Sequence, residues 1–278
     1  MTLARLDEVL ADAVRDGRGV GAFNVIQIEH AEAIVAAAER TGLPVVLQIS
    51  ENAARYHGSL APIGLATKAI AASASVPCVL HLDHAVSEAL VDEAVALGFT
   101  SVMFDGSTLD DETNRRVTRC VVERCHASGV DVEAELGEVG GKDGVHAPGA
   151  RTDPGDAARF VVDTGVDALA VAVGSSHAMT SRTAQLDLDL VAAIHERVSV
   201  PLVLHGSSGV ADPDLVAAVA AGMTKVNIAT HLNATFTASL REFLAANPGV
   251  VDTRAYLGAA RAAVADETVR LLALLGRR

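Results

Sequence analysis

The sequence has little of several residue types that mark other classes of protein. It contains no tryptophan, 2 tyrosines and 6 phenylalanines among 278 residues, which predicts a core of small aliphatic side chains. Its 3 cysteines are too few for a disulfide framework, and we expect buried free thiols in a cytoplasmic protein. No apolar run approaches the roughly 18 residues of a membrane-spanning helix. The first residues carry acidic groups throughout, which predicts an amphipathic helix and not a signal peptide.

Positive charge is also scarce. With 22 basic and 35 acidic residues, the formal net charge is −13, and such a field repels nucleic acids and anionic membranes. An anionic substrate must therefore be held locally, by backbone amides, a metal ion or a few arginines. The only lysines are Lys68, Lys142 and Lys225, in a predicted helix, a loop and the start of the eighth strand. None is expected to face a site at a strand end, which argues against Schiff-base chemistry.

Short β-branched runs alternate with alanine-rich segments of helical periodicity. The predicted strands are 19–25, 44–50, 77–83, 101–106, 131–136, 168–174, 201–206 and 225–230. Nearly continuous apolar strands that alternate with helices indicate a parallel sheet covered on both faces. Eight such units predict a single (β/α)8 TIM barrel over residues 1–278, with extra C-terminal helices at 232–246 and about 255–275. An open doubly wound sheet is the alternative, but no G-x-G-x-x-G follows the first strand.

The predicted strands end in polar residues, and reactive groups of a parallel barrel lie at those ends. These residues are Asn24, Ser50, Asp83, His84, Asp105, Glu133, Glu135, His177, His205 and Asn227. Three imidazoles, from His84, His177 and His205, would meet at one rim and suit a catalytic zinc ion. A lone buried histidine is more often a hydrogen-bonded core residue, but three at strand ends favour the metal site. We expect His81 to support it, and His30, His57, His126, His146 and His195 to lie on the surface.

Other strand-end residues suggest further roles. Asp83 adjoins a candidate ligand and suits proton transfer beside a Lewis acid, although it could instead cap a helix. Asp105 and Glu135 could bind a second cation, orient the histidines or make structural hydrogen bonds. The segments 205–209 and 227–230 follow the last two strands, where TIM barrels commonly bind phosphate, although G-S-S-G alone could be a turn.

The ordered motifs GAFNV, LQIS, HLDH, SVMFDGS, VEAELGEVGG, DALAVAVGSSH, PLVLHGSSG and KVNIAT cover almost the whole chain. In order and spacing they resemble the class II zinc-dependent fructose-/tagatose-bisphosphate aldolases. Ala229, where the fructose-bisphosphate enzymes usually carry aspartate, makes the chain look closer to the tagatose-bisphosphate branch. The resemblance implies retro-aldol cleavage of a ketose bisphosphate to dihydroxyacetone phosphate and an aldehyde, by a homodimer or homotetramer.

The resemblance also implies roles for individual residues. His84, His177 and His205 would bind Zn²⁺, with Asp105 and Glu135 at a secondary cation position and often a monovalent cation nearby. Asp83 would act on the C4 hydroxyl, and the loop residue Asp143 would replace the usual glutamate in the last proton transfer. The substrate and its phosphates would be bound by Asn24, Ser50, Arg182, Gly206, Ser208, Asn227 and Thr230.

One departure from the family pattern concerns the second phosphate. Gly258 stands where an arginine often reaches that phosphate, and Arg254 or Arg261 could replace it. A relaxed aldehyde specificity, for example toward a ketose 1-phosphate, is therefore an expectation. Two alternatives are a non-catalytic accessory subunit of an aldolase complex and a metal-dependent hydrolase, although the latter would need H-x-H where Asn24 stands.

Overall fold

The chain folds into a closed barrel of eight parallel strands in chain order, and β1 pairs with both β2 and β8. A computed structural model describes residues 3–136, 151–177 and 179–276. The strands are β1 Val20–Asn24, β2 Val45–Ser50, β3 Cys78–Ala85, β4 Ser101–Phe104, β5 Asp131–Leu136, β6 Ala168–Val171, β7 Leu202–Leu204 and β8 Met223–Ile228. The predicted (β/α)8 barrel is confirmed.

Helices surround the barrel and extend past its last strand. They are α1 Leu6–Asp16, α2 Ile28–Thr41, α3 Glu51–Tyr56, α4 Ala61–Ser73, α5 Glu88–Leu97, α6 Asp111–Ala127, α7 Pro154–Thr164, α8 Leu188–His195, α9 Asp212–Ala221, α10 Thr230–Ala246 and α11 Thr253–Leu275. Aspartate side chains begin several of them: Asp110 accepts from the Thr113 amide, and Asp187 accepts from the Leu190 amide. Among the described residues no helix is long and apolar enough to span a bilayer.

The amino-terminal end of the barrel is closed by α1. Its buried Leu6 and Leu10 pack with small side chains that fill this half of the barrel, including Val46, Val79 and Val203. A second, larger cluster fills the space between the strands and the outer helices. The scarcity of aromatic residues fits such an interior, and it leaves the carboxyl ends of the strands as the polar, open end.

Two expectations about individual side chains are wrong. Cys78 and Cys125 are buried free thiols, but Cys120 is exposed because it lies on the outer side of α6. His30 was expected on the surface, yet its residue is only 3% exposed. It lies in the first turn of α2, under α10, where its ring is 5.0 Å from the ring of Phe236.

Candidate metal centre and active-site cavity

A cavity of about 370 Å³ opens at the carboxyl ends of the strands. It is lined by Asn24, Gln48, Ser50, Glu51, Asn52, Arg55, Asp83, His84, Val86, Asp105, His177, Gly206, Ser208, Asn227, Ala229 and Thr230. Most of the predicted site residues therefore come together here, from seven different strands or the loops that follow them. The cavity is within the size range of sites for small metabolites.

Four side chains form a cluster that could hold a metal ion: His84, Glu135, His177 and His205. One potential ligand atom of each lies within 4.8 Å of those of the other three. The ring centroid of His84 is 5.0 Å from that of His177 and 4.6 Å from that of His205. Three imidazoles and one carboxylate are a donor set that suits Zn²⁺ or a similar divalent ion. The residues present therefore fit the metal that the sequence predicted.

His84 reaches this cluster through an irregular backbone. Strict alternation along β3 would point His84 away from the face that carries Asp83. The pairing of β3 with β4 instead shifts between Leu82 and Ala85, and His84 has a φ of 51° in the left-handed region. A bulge of this kind re-aims a side chain, and a non-glycine residue at positive φ is typical of functional sites. Asp83 and His84 thus line the same cavity.

Carboxylates orient two of the imidazoles. Nδ1 of His84 is 3.0 Å from Oδ2 of Asp105, so Nε2 is the nitrogen available to the cluster. Asp105 in turn accepts a 2.6 Å hydrogen bond from the Ser107 hydroxyl. This contact favours the orienting role among those predicted for Asp105. Glu135 instead lies inside the cluster, with Oε2 2.9 Å from Nδ1 of His205.

His205 lies between two carboxylates. Its Nδ1 faces Glu135, and its Nε2 is 2.9 Å from Oε1 of Glu133. Burial would lower the pKa of His205, but the hydrogen bonds to Glu133 and Glu135 outweigh it and raise the pKa to about 9. The two carboxylates therefore stabilise positive charge at His205. Since Glu135 belongs to the cluster and Glu133 does not, Nδ1 is the nitrogen that a metal ion would use.

Asp83 is held by amide groups at the edge of the metal cluster. The Asn24 amide donates to Oδ2 at 3.1 Å, and the Asn227 amide is 3.4 Å from Oδ1. Oδ1 is also 3.9 Å from Nε2 of His84. Burial would raise the pKa of Asp83, but electrostatic interactions with His84 and Lys225 outweigh it and lower the pKa to about 2. The carboxylate is therefore ionised near neutral pH, as a general base must be.

The loops after β7 and β8 line the opposite side of the cavity. Gly206 has a φ of 66°, and a Cβ there would lie 2.6 Å from the backbone of Ser176. Only glycine fits at this position, where the β7 loop closely approaches the chain that leads to His177. The Ser208 hydroxyl accepts from the His231 amide at 3.2 Å, and Thr230 begins α10. Ala229 and Thr230, at the start of this long helix, line the cavity, and the start of a helix suits an anion.

The arginines are placed differently from the expectation. Arg182 pairs with Asp212 at 2.6 Å and is not among the residues that line the cavity. Arg254 pairs with Asp252, and Arg261 pairs with Glu32. Among the described residues the basic side chain that lines the cavity is Arg55.

Arg55 was not identified from the sequence, because it lies one helical turn beyond the end of β2. It pairs with Glu51 and donates to Oδ1 of Asn52 at 3.2 Å, while its side chain remains 61% exposed. Gln48 was also missed. It lines the cavity and donates to Oδ1 of Asn24 at 2.7 Å, and its place in the LQIS motif, two residues before Ser50 on the same face of β2, was the available signal.

Two further interior residues lie beneath the cluster. His81 is hydrogen-bonded to Ser101 at 2.9 Å and is not one of the four cluster residues, so its expected supporting role stays a prediction. Lys225 was expected at the start of the eighth strand, away from the site. Since β8 begins at Met223, Lys225 lies within the strand and its side chain is fully buried inside the barrel. Asp143 lies outside the described residues.

Comparisons with known proteins agree with this arrangement. The family model for "Fructose-bisphosphate aldolase class-II" matches residues 4–278. A fructose-bisphosphate aldolase of Geobacillus stearothermophilus is 40% identical over 95% of this chain and 93% of its own. One of Thermus caldophilus is 40% identical over 97% of this chain and 96% of its own.

A solved structure is also similar over its whole length. The crystal structure of the YdjI aldolase from Escherichia coli K12 aligns with a TM-score of 0.86 and 31% identity. The alignment covers 99% of this chain and 98% of that one. The fold, the candidate metal cluster and the extent of these matches lead to one conclusion: the chain belongs to the class II fructose-bisphosphate aldolase family.

Proposed function

We propose that this protein cleaves a ketose 1,6-bisphosphate to dihydroxyacetone phosphate and an aldehyde phosphate, in a zinc-dependent retro-aldol reaction. The observation that carries the proposal is the position of an ionised carboxylate, Asp83, at the edge of a cluster of three imidazoles and Glu135 within one cavity. Such an arrangement combines a Lewis acid site with a base.

In this proposal the ligands are His84 through Nε2, His205 through Nδ1, and His177, with Glu135 within reach. A divalent cation bound there supplies Lewis acidity toward the ketose carbonyl oxygen. Asp105 fixes the ring of His84, as its 3.0 Å contact indicates. A monovalent cation nearby, expected from the family, is a further part of the proposal. Zinc is favoured over harder cations because nitrogen ligands dominate the cluster.

Asp83 is proposed to accept the proton of the C4 hydroxyl. Asn24 and Asn227 each donate toward one carboxylate oxygen and keep the group in position beside His84. As the proton leaves, the C3–C4 bond breaks, its electron pair stays with the fragment that carries the ketone, and the aldehyde is released. A proton must then reach C3 of that fragment, and we propose Asp143 as its donor.

The two ends of the substrate meet different surroundings. Gly206, Ser208 and Thr230 offer backbone amides and hydroxyl groups for the phosphate of the dihydroxyacetone half, as anion sites at helix starts do. At the other side of the cavity, Ser50 and the exposed Arg55 are available for the second phosphate. An arginine there compensates for Gly258 and favours a bisphosphate over the relaxed specificity expected from the sequence. The similarity to fructose-bisphosphate aldolases supports the same choice.

Cleavage assays with three substrates test the proposal. We expect activity with fructose 1,6-bisphosphate or tagatose 1,6-bisphosphate to exceed that with a ketose 1-phosphate, measured as kcat/KM in a coupled assay. A preference for tagatose 1,6-bisphosphate would support the branch that Ala229 suggests. Absence of cleavage with all three by zinc-loaded protein would refute the proposal and favour the accessory-subunit alternative. A cytoplasmic homodimer or homotetramer stays a prediction, testable by light scattering.

A further inference from the structure

The buried ammonium group of Lys225, inside the barrel, contacts both Glu133 and Asn227. Lys225 is 0% exposed, and its Nζ lies 2.8 Å from Oε2 of Glu133 on β5. The same Nζ donates to Oδ1 of Asn227 at 2.8 Å. Elsewhere this interior is filled by alanine and valine side chains such as Ala170 and Val203. A charged pair among them is costly to bury and adds little net stability, so its presence calls for another reason.

Each partner of Lys225 contacts a residue of the proposed mechanism. Oε1 of Glu133 is 2.9 Å from Nε2 of His205. The Asn227 amide nitrogen is 3.4 Å from Oδ1 of Asp83. Lys225 is therefore one residue removed from a metal ligand on one side and from the base on the other.

We propose that Lys225 is a positioning residue which, through Glu133 and Asn227, fixes the orientations of the metal ligand His205 and the base Asp83. This inference rests on the metal site of the proposed function.

On one side of Lys225, Glu133 determines which nitrogen of His205 carries the proton. Glu133 serves two groups: its Oε2 forms an ion pair with the ammonium of Lys225, and its Oε1 faces Nε2–H of His205. With the proton kept on Nε2, the lone pair of Nδ1 is available to a metal ion. An amide at position 133 could accept from only one of the two donors. Its carbonyl would turn to the ammonium, because a charge-assisted bond is stronger, and its NH2 would then favour the wrong tautomer of His205.

On the other side, Lys225 determines the orientation of the side-chain amide of Asn227. Because Lys225 binds Oδ1 of Asn227, the NH2 group must point the other way, toward Asp83. Without the ammonium, the shorter of the two contacts that orient the amide of Asn227 is lost, and only the 3.4 Å contact with Asp83 still holds its NH2 group. The two contacts of Lys225 therefore have separate measurable effects. The contact with Glu133 affects metal affinity, and the contact with Asn227 affects turnover.

The test uses full-length Glu133→Gln, Lys225→Met and the double variant, with Lys68→Met as control. The control lysine donates to the carbonyl of Leu97 at 2.8 Å, away from the site. Zinc affinity is measured by competition with a chromophoric chelator, ligand geometry by the visible spectrum of the Co²⁺-loaded protein, and folding by Tm. Turnover of fructose 1,6-bisphosphate is measured at saturating zinc.

We expect Glu133→Gln to weaken zinc binding by about 10–100-fold and to alter the Co²⁺ spectrum, as loss of a partner behind a metal-binding histidine does. Adding Lys225→Met frees the introduced carbonyl for His205, so the double variant should recover at least about half of that loss on a logarithmic scale. Its kcat at saturating zinc should stay about 10-fold or more below wild type with little change in KM, because Asn227 is no longer held.

Two results would overturn the inference: equal zinc affinities for Glu133→Gln and the double variant, or wild-type kcat in the double variant. Lys225→Met alone leaves Glu133 without its cation and could fail to fold, but the other two variants decide the question without it. Failure of wild type itself to bind zinc would count against the proposed function instead. Lys68→Met should match wild type in every measurement.

Discussion

A buried histidine far from the metal cluster makes the stability of the fold sensitive to pH. His30 is 3% exposed, and its Nδ1 accepts from the Gln27 amide at 3.3 Å. Its buried Nε2 has no hydrogen-bond partner within the part of the chain that the structure describes. Burial lowers the pKa of His30 from 6.5 to about 4. The unfolded chain therefore binds a proton between these pH values that the folded chain does not, and stability falls as pH falls through this window.

The size of the effect follows from the pKa difference. At about 1.4 kcal/mol per pKa unit, a shift from 6.5 to about 4 lowers the free energy of unfolding by about 3 kcal/mol once the pH is below both values. Between pH 7.5 and pH 5, we expect His30 to remove about 2 kcal/mol from the free energy of unfolding. Above about pH 7.5 it should contribute almost no pH dependence, because His30 is then largely unprotonated in both states.

The measurement is urea unfolding at several pH values between 4.5 and 7.5, on wild type and His30→Gln with metal removed from both. The carboxylates and the other histidines titrate in both proteins, so the difference between them isolates His30. We expect the variant to be less stable near neutral pH and to lose about 2 kcal/mol less on acidification to pH 5. Parallel pH profiles for the two proteins would refute the reasoning.

Two further predictions concern the site. Asp83→Ala should bind zinc normally but lose roughly 10²–10⁴-fold in kcat, because it removes a positioned base; activity within a few fold of wild type would make Asp83 structural. Arg55→Met should lower kcat/KM for fructose 1,6-bisphosphate by about 10-fold or more and leave that for a ketose 1-phosphate unchanged, since it removes a charged donor to the second phosphate. Arg254→Met, which removes an exposed arginine outside the cavity, is the matched control, and equal losses in both arginine variants would contradict the assignment.

The sequence was sufficient to predict the barrel because each strand is a short apolar run followed by a polar residue. The eight runs occur in the predicted order, and seven of the eight observed strands begin within one residue of the predicted start. The exception is β8, which begins at Met223, two residues before the predicted start at 225. The cluster of His84, His177 and His205 was foreseen for the same reason, since the carboxyl ends of parallel strands converge.

Other features could not be foreseen because they depend on tertiary contacts. The bulge that re-aims His84 arises from the pairing of β3 with β4, which leaves no local signature in HLDH. Arg182 meets Asp212 only because loops after β6 and β7 come together, so its sequence position alone suggested a phosphate ligand. Lys225 is the opposite case: it precedes Asn227 by two residues in a strand, and alternation alone puts both on the same face.

The most direct test of the proposed chemistry is metal removal and reconstitution of the full-length protein. Chelator-treated protein should lose cleavage of the ketose bisphosphate, and activity should return in proportion to bound zinc, as measured by elemental analysis beside the coupled assay. His205→Ala should fail to recover under the same conditions, because it removes one imidazole of the cluster. Full cleavage activity in protein that elemental analysis shows to contain no divalent metal would contradict the account.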